Sequence, residues 1–406
     1  MLIVQKYGGS SVATLELMEA IANRITKTKE TGAKLVVVLS AQGDTTNKLM
    51  GLANSANPTG SKRERDMLLS IGEQQSIALM ALILQRMGHG AKSLTGRQAG
   101  IFTTSRHGDA RIKQIKTERI AKELDEGNIV LVAGFQGESE FGDITTLGRG
   151  GSDTTAVALA AALNADKCEI YTDVAGVYSA DPRIVADAVK LPEISYNEMV
   201  ELSSMGAKVL EKRSVGLAKK YGVPLWVLSS HGDEEGTVIK EECSVEGIFV
   251  SGVVANKNIA RISVSGIKDQ PGVWFKIFNT MNQSDIAIDF VYQTKHAGGT
   301  KDISFIVDIN RLDDAKKAIE ANAHKITHAA ITHDTDMAKV SAVSTGMATN
   351  PGVPSLMFEA LFDAGINIDS VSTSEIRVSV LINKEHADRA AQVIHKKFQD
   401  EKYIRG

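Results

Sequence analysis

Uninterrupted apolar runs constrain the fold of this chain more than any other feature. Leu35–Leu39 and Ile129–Ala133 contain no polar residue, which is typical of strands buried on both faces of a parallel sheet. A helical pattern over Thr14–Glu30 precedes the first of these runs. Because strands and helices alternate, we predict an α/β domain with a mainly parallel sheet. Further strands are predicted at Leu2–Gln5, Cys168–Thr172 and, as the last, Pro224–Leu228, and further helices at Glu64–Met87 and Met199–Lys220.

Polar residues and glycines follow the carboxyl ends of four of these strands. Ligands of open α/β sheets bind at that edge, so we expect the loops to face one crevice. The residues concerned are Lys6, Gly8, Gly9, Ser40, Thr46, Phe135, Thr172 and Asp173.

A glycine-dense loop, Gly148–Gly151, leads through Ser152 and Asp153 into an apolar run. Two interpretations are open for this stretch. It can bind an anion at a helix N-terminus, with Arg149 as a carboxylate or phosphate ligand. It can equally be a tight turn that Asp153 caps before a core helix.

Composition narrows the class of protein. A chain of 406 residues is long enough for two or three domains. Its 46 basic and 49 acidic residues give a net charge of −3, which does not point to nucleic acid. The two cysteines indicate neither a disulfide framework nor a cysteine-built metal site. The first residues do not resemble a signal peptide, and the longest apolar run, Ala156–Leu163, is too short for a membrane span. We expect a soluble, cytoplasmic protein.

A repeat occupies the second half of the chain. Asp269–Phe278 parallels Thr349–Phe358, and Ser284–Asp289 parallels Ala364–Asp369. In each copy a Pro-Gly pair marks the start of a helix. Each copy is predicted to run strand, helix, strand, strand, helix.

The two copies differ in how they end. The first closes with a strand at Thr327–Ile331, whereas the second ends after a helix at Glu385–Phe398. We predict that Gly247–Ala255 supplies the missing strand, so that the first copy is inserted into the second. The alternative is two consecutive incomplete domains, which would leave an open sheet edge.

Phosphoryl transfer suits the polar residues near the sheet edge. The sequence has no GxxxxGK[ST] loop, HExxH motif or GxSxG elbow. It offers Lys6 and Arg149 beside glycines, together with several carboxylates, and phosphoryl transfer depends mainly on positioning and charge neutralisation. The alternative for Lys6 is a solvated lysine at a strand end.

Several segments together resemble the monofunctional aspartate kinase (aspartokinase) family, namely KYGGSS, SAQGDTTNKL, LLSIGEQ, GFQGE, TTLGRGGSDTTA, YTDVAGVYSADPR, ISYNEMVELSSMGAKVL and STSEIRVSVLI. The resemblance covers essentially the whole chain. It implies an amino-acid kinase fold, a mainly parallel sheet sandwiched by helices, followed by two βαββαβ ACT domains. The implied boundaries are 1–242 for the catalytic domain, 258–336 for the first ACT domain, and 243–257 plus 337–406 for the second.

The resemblance also implies the reaction. ATP would phosphorylate the side-chain carboxylate of L-aspartate to give 4-phospho-L-aspartate, the first step toward lysine, threonine, methionine and diaminopimelate. Mg²⁺ would be held by phosphate and water, without protein side chains. Because the attacking carboxylate is ionised at pH 7, no general base is needed.

Site residues are carried over by the same resemblance. Lys6 would stabilise the transferring phosphoryl group, and Asp153 would hold Lys6 or the substrate ammonium. The predicted aspartate-binding residues are Ser40, Thr46, Glu73, Phe135, Arg149, Gly150, Gly151 and Ser152. The predicted ATP-binding residues are Lys6, Tyr7, Gly8, Gly9, Thr172, Asp173, Tyr178, Asp181, Arg183, Lys208 and Val209. For Asp173 and Asp181 the alternative role is turn capping.

Regulation is implied by the ACT pair. Lysine is the first choice of effector, with threonine second or acting jointly, and homo-oligomers (dimer or tetramer) would form through ACT domains. The predicted effector-binding residues are Asp269, Gly272, Val273, Gln293, Asn367, Ile368, Ser374 and Glu375; Gln293 and Ser374 could instead be polar residues at strand edges.

Four residues depart from the family pattern: Ala175, Glu211, Lys212 and Trp274. No role is carried over to Glu211 or Lys212.

Acetylglutamate, carbamate and uridylate kinases are the rival enzymes, and the ACT pair argues against them. A non-catalytic amino-acid sensor is the remaining alternative, and intact Lys6 and Arg149, with Asp153 and Asp173, argue against it.

Overall fold

The computed structural model of the protein describes residues 1–206, 209–241, 250–296, 298–322, 330–344 and 352–404. The chain divides into two units. The first comprises Met1–Tyr178 and Lys190–Glu246, and the second comprises Ser179–Val189 and Gly247–Arg405.

Buried apolar strands form the centre of the first unit. Its strands are β1 (Leu2–Tyr7), β2 (Lys34–Leu39), β3 (Ala91–Leu94), β4 (Ile101–Thr103), β5 (Ile112–Ile115), β6 (Ile129–Ala133), β7 (Gln136–Glu138), β8 (Ile144–Thr146), β9 (Lys167–Thr172), β10 (Glu193–Ser195), β11 (Leu225–Ser229) and β12 (Thr237–Lys240). Eight of them form one sheet in the order β10-β12-β11-β9-β1-β2-β6-β3. Only the β11–β12 pair is antiparallel. The predicted mainly parallel sheet is therefore confirmed.

Helices cover this sheet. They are α1 (Leu15–Glu30), α2 (Thr45–Ala56), α3 (Lys62–Leu69), α4 (Ile71–Arg86), α5 (Glu118–Asp125), α6 (Gly151–Ala162), α7 (Tyr196–Met205) and α8 (Lys212–Tyr221). Met18 and Ile25 of α1 and Met80 of α4 pack against Leu35 and Val37 of the sheet. Helix α6 lies against β1, β2 and β9, and its first ten residues are all buried. Its small side chains allow this close approach to the strands.

Two helices predicted as continuous are each broken in the structure. The predicted helix Glu64–Met87 is interrupted at Ser70, which ends α3 and begins α4. The predicted helix Met199–Lys220 ends at Gly206, whose φ of 109° stops α7. Apolar periodicity continues across both breaks, so it could not reveal them. The predicted strand Pro224–Leu228 is confirmed as β11, but it is not the last strand of this unit, because β12 follows it.

A small sheet, in the order β5-β4-β7-β8, was not predicted. Asp66 of α3 lies beneath it and is 1% exposed. Its carboxylate accepts hydrogen bonds from the Thr146 hydroxyl at 2.6 Å and the Thr146 N–H at 3.0 Å, and from the Gly108 N–H at 3.0 Å. Asp66 therefore holds strand β8 and the loop around Gly108 against α3.

One helical stretch, Lys62–Arg86, is long and apolar enough to cross a membrane by length and composition alone. In the most apolar 18-residue part of this stretch, 56% is buried inside the structure. The core helices of globular proteins pass the same test, so the finding is weak.

The second unit contains two four-stranded antiparallel sheets. Its strands are β13 (Val250–Asn256), β14 (Ile259–Lys268), β15 (Asp289–His296), β16 (Thr300–Asp308), β17 (Ala330–Asp334), β18 (Met337–Ser344), β19 (Ser370–Ser374) and β20 (Arg377–Asn383). Its helices are α9 (Val273–Gln283), α10 (Leu312–Ala321), α11 (Gly352–Asp363) and α12 (Ala387–Asp400). The sheet orders are β15-β16-β14-β17 and β13-β18-β20-β19.

Strand β13 pairs with β18 and not with the eight-stranded sheet. This is the pairing that insertion of the first repeat into the second requires. Parts of the predicted repeat elements, residues 247–249, 327–329 and 349–351, lie outside the described residues. The domain boundaries themselves stay a prediction.

The segment Ser179–Val189 packs in the second unit. The predicted catalytic domain, 1–242, had included it. Ala180 and Val185 are buried in the same apolar core as Val253 and Ile394. The Ser179 hydroxyl lies 2.8 Å from His395 Nε2. The family resemblance placed this segment within the catalytic domain, and its apolar residues carry no sign of which core they join.

The two sheets of the second unit are linked by a buried apolar cluster and by a charged contact. Phe290 and Leu381 belong to one apolar cluster that draws residues from both sheets. Arg261 of β14 donates to Asp334 at 2.8 Å and to both oxygens of Asp369 at 3.0 and 3.1 Å. The two terminal nitrogens of Arg261 thus bind different carboxylates, Asp369 through Nη1 and Asp334 through Nη2.

We expect Asp66→Ala to lower the free energy of unfolding by about 3–5 kcal/mol, because several buried donors lose their acceptor at once. Chemical denaturation followed by circular dichroism measures the change. Asp125→Ala is the control: its exposed pair with Lys34 contributes about 0.5 kcal/mol or less. Equal effects of the two substitutions would contradict the role of Asp66.

Candidate active site

Four central strands end level with one another at one edge of the large sheet. Tyr7 of β1 lies opposite Leu39 of β2 and Tyr171 of β9, and Leu39 lies opposite Ala133 of β6. The residues that follow these strands are therefore neighbours. The strands from which the polar loops start therefore end at one edge, while a shared crevice that includes Thr172 and Asp173 stays a prediction.

Lys6 and Asp153 form an ion pair at this edge. Lys6 Nζ lies 2.6 Å from Asp153 Oδ1, and each side chain is 11% exposed. Asp153 stands in the first turn of α6, whose N-cap is Gly150 without any side-chain cap hydrogen bond. The interpretation that Asp153 caps this turn is therefore wrong, because its carboxylate forms an ion pair with Lys6 instead.

A cavity of about 290 Å³ surrounds the ion pair. It brings together every predicted aspartate-binding residue with both predicted catalytic residues. Its lining consists of Lys6, Gly9, Ser40, Ala41, Gly43, Thr46, Glu73, Phe135, Gly148, Arg149, Gly150, Gly151, Ser152 and Asp153. Sequence reasoning missed Ala41, Gly43 and Gly148 in this list, although Gly43 and Gly148 have the positive φ values that a glycine in a tight loop can signal.

Backbone conformation shapes the cavity at two positions. A Cβ on Gly9 would lie 2.6 Å from the Ala41 carbonyl oxygen, so only glycine lets the loops after β1 and β2 approach this closely. Phe135 adopts a left-handed φ of 68°, and its N–H donates to the Thr155 hydroxyl at 3.1 Å. Strained non-glycine residues of this kind concentrate at functional sites.

Glu73 is a buried carboxyl group in the cavity wall. Burial raises its pKa to about 7, although backbone hydrogen bonds from its own N–H and that of Ala41 act in the opposite direction. The Ala41 N–H donates to Oε1 at 3.3 Å, while Oε2 is buried and has no partner among the described residues. A cationic ligand group would find an unsatisfied acceptor here.

Arg149 is exposed on the glycine loop and lines the same cavity. Within the described parts of the chain it has no ion-pair partner. An uncommitted guanidinium opposite a buried carboxyl group suits a small ligand that carries both a carboxylate and an ammonium.

Known proteins resemble this chain along its length. A model of the amino acid kinase family matches residues 1–229, and a model of the ACT domain matches residues 340–398. An aspartokinase from Corynebacterium glutamicum is 47% identical over 98% of this chain and 96% of that protein. An aspartate kinase from Pseudomonas putida is also 47% identical, over 98% and 97%.

The chain belongs to the aspartokinase family. The crystal structure of an aspartate kinase from Synechocystis is 42% identical, with a TM-score of 0.56 over 98% of this chain and 69% of that one. Escherichia coli aspartokinase III in complex with aspartate and ADP has a TM-score of 0.85 over 98% and 100%, at 23% identity, and supports the fold alone. The expected amino-acid kinase fold with two βαββαβ ACT domains is confirmed.

In this aspartokinase, a buried polar network joins β1, the strand that carries Lys6, to its neighbour β9. Tyr7 and Tyr171 stack with ring centroids 4.6 Å apart. The Tyr171 hydroxyl and the Gln5 amide both donate to Glu169, at 3.0 and 2.9 Å. Tyr7 is fully buried, so its side chain cannot contact the predicted nucleotide and only its backbone lies near the edge.

The predicted nucleotide residues are less closely grouped than the acceptor-side residues. Of those that the structure describes, only Lys6 and Gly9 line the cavity. Thr172 is the last residue of β9, and its hydroxyl donates to Asp173 at 3.0 Å. Gly8 lies beside Lys6 Nζ, Tyr178 forms a bridge with Lys190, and Val209 precedes α8. Lys208 lies outside the described residues.

Asp181 and Arg183 belong to the second unit. They pair with each other, with the Arg183 guanidinium donating to Asp181 at 2.7 and 2.9 Å. Asp181 also accepts from the Arg183 backbone N–H at 3.0 Å. That bond has the turn-capping geometry that the sequence left open as an alternative role for Asp181.

The predicted effector residues lie in the second unit. Asp269 is already paired with Lys301 at 2.9 Å and Lys295 at 3.1 Å, and these lysines hold its pKa below the usual range. Gly272 caps α9 with a φ of 89°, and Val273 is buried. The remaining predicted residues are exposed or half-buried near β15 and β19: Gln293, Asn367, Ile368, Ser374 and Glu375.

We expect Glu73→Gln to stabilise the protein in a pH-dependent way. Folded Glu73 stays protonated up to about pH 7, whereas its unperturbed pKa is 4.5. The free energy of unfolding therefore falls as pH rises between these values, by up to about 3 kcal/mol. Glutamine cannot ionise, so the variant gains stability over the wild type with rising pH and equals it at low pH.

Thermal or denaturant unfolding at pH 4 to 8 measures this difference. The exposed Glu30→Gln serves as the control and should give no trend with pH. A difference between Glu73→Gln and the wild type that is the same at every pH would contradict the raised pKa.

Proposed function

We propose that this aspartokinase transfers the γ-phosphoryl group of ATP to the side-chain carboxylate of L-aspartate. The observation that carries the proposal is the convergence of Lys6, Asp153, Arg149 and Glu73 on one cavity. The relatives named aspartokinase or aspartate kinase, at 47% identity over nearly the whole chain, support the same activity.

The reaction forms one bond and breaks one. A carboxylate oxygen of aspartate attacks the γ-phosphorus, the bond to the β-phosphate oxygen breaks, and ADP leaves with that electron pair. The products are 4-phospho-L-aspartate and ADP. Because the nucleophile is already an anion, the chain must supply orientation and positive charge and no proton acceptor.

Each group in the cavity has a task in this transfer. Lys6 neutralises charge on the transferring group, and its ion pair with Asp153 fixes the ammonium in place. Arg149 binds the substrate carboxylate that does not react. Glu73 accepts the substrate ammonium, whose positive charge favours the ionised form of the carboxyl group. An N-acetylated or nucleotide acceptor has no ammonium for Glu73, which disfavours the rival kinases.

Mg²⁺ would enter with ATP. Within the described residues, no group of three or more His, Cys, Asp or Glu side chains could hold a metal ion. When bound, the ion would neutralise phosphate charge beside Lys6. A Cβ on Gly8 would lie 3.6 Å from Lys6 Nζ, so glycine at this position keeps a side chain away from the ammonium group that would meet the phosphates.

The wider role follows from the family. The product would be the first intermediate toward lysine, threonine and methionine, and the location would be cytoplasmic. Lysine, threonine or both would act as effectors at the ACT pair.

The edge strands β15 and β19 expose Val291 and Val371, which suits pairing with ACT domains of a second subunit in a dimer or tetramer.

Lys6→Ala should lower kcat by about 100-fold or more, because one fixed cation at the transferring group is lost. A coupled ADP-release assay with L-aspartate measures this, and KM for ATP should change far less than kcat. L-glutamate and N-acetylglutamate serve as control acceptors. Unchanged turnover in the variant would refute the role of Lys6, and no ADP release from folded wild type would refute the kinase activity.

Glu375→Ala should raise the lysine or threonine concentration for half-inhibition by about tenfold, as expected for one lost charged hydrogen bond. The ADP-release assay with lysine, threonine and both together measures inhibition. Glu320→Ala, an exposed glutamate of α10, is the matched control. If both variants are inhibited like the wild type, Glu375 does not contact the effector.

A further inference from the structure

Glu211 lies directly against the glycine loop of the cavity. Gly150 adopts a left-handed φ of 62°, and a Cβ placed on it would lie 1.8 Å from Glu211 Cγ and 2.4 Å from Glu211 Cβ. The methylene groups of Glu211 therefore occupy the space that a side chain at position 150 would need. This residue stands at one of the positions where the chain departs from its family's pattern.

The backbone of Glu211 is fixed by hydrogen bonds from the first turn of α8. Its carbonyl oxygen accepts hydrogen bonds from the Ser214 hydroxyl at 2.7 Å and the Ser214 N–H at 3.0 Å, at the start of α8. The same turn is anchored by Arg213, whose guanidinium donates to the carbonyls of Leu147 and Ala110, each at 2.7 Å. Leu147 immediately precedes the glycine loop, so α8 and the loop are fixed to each other.

Two charged groups of the cavity face Glu211. Burial raises the pKa of Glu211, the negative charge of Asp153 on α6 raises it further, and the positive charge of Arg149 on the loop lowers it. Asp153 is neutralised by Lys6. Glu211 packs against Gly150, the residue next to Arg149, and within the described residues it has no ion-pair partner of its own.

We propose that Glu211 is a positioning residue for the amino-acid substrate, which packs the glycine loop into place and whose negative charge weakens the hold of Arg149 on the substrate carboxylate. The proposal rests on the proposed function, in which Arg149 binds that carboxylate. The two parts of the role are separable, because the methylene groups do the packing and the carboxylate provides the charge.

Two substitutions separate these parts. Glu211→Gln keeps the packing and removes the charge, so KM and Kd for aspartate should fall by about two- to fivefold, the range for a partly exposed charge pair. KM for ATP should stay unchanged. Glu211→Ala also removes the packing, so KM for aspartate should rise above that of Glu211→Gln. Lys212→Gln, at the exposed neighbouring position, should behave like the wild type.

The pH dependence gives a readout that a purely structural role would not move. The ratio of wild-type KM to Glu211→Gln KM should approach one as pH falls, because protonated Glu211 carries no charge. Taking the ratio cancels titration of Glu73, which both proteins share. A ratio of one at every pH, in an active wild type, overturns the inference.

Calorimetric titration of aspartate onto the full-length protein keeps the two proposals distinguishable. If the wild type releases no ADP but Glu211→Gln binds aspartate more tightly, the kinase activity fails and the role of Glu211 stands. If the wild type is active and Glu211→Gln changes neither Kd nor KM for aspartate, the role of Glu211 fails alone.

Discussion

The ion pair between Lys6 and Asp153 is the contact on which the candidate site depends. It joins the end of the central strand β1 to the first turn of α6, and both side chains are largely buried. Removing two charges from water is costly, so such a pair survives only where the surrounding structure fixes it. Here β1 is also fixed to β9, by the stacking of Tyr7 on Tyr171 and by the hydrogen bond from Gln5 to Glu169.

Sequence patterns were sufficient for the sheet and for the acceptor side of the site. Apolar runs predicted β2 and β6, and the polar residues after them met at one edge because parallel strands end together. Asp153 shows the limit of this reasoning. Its place after glycines fits a helix cap equally well, and only the three-dimensional position of Lys6, nearly 150 residues away in sequence, decides between the two roles.

Other features depended on information that local patterns lack. The breaks at Ser70 and Gly206 interrupt segments whose apolar periodicity continues. The segment Ser179–Val189 joins the second core because of its long-range partners, Val253 and Ile394. Glu211 lacked the family's usual residue type, so resemblance assigned it no role. Its importance became visible only through the missing side chain of Gly150.

The place of β1 in the sheet has a consequence for how the chain folds. β1 lies between β2 and β9, and the hydrogen bond that joins Gln5 to Glu169 closes a loop of 164 residues. Strand β1 therefore cannot complete its pairing until β9 has been synthesised. Such long-range parallel pairing is slow, so Lys6 and Asp153 should meet late, and N-terminal fragments that stop before β9 should leave β1 with an unpaired, aggregation-prone edge.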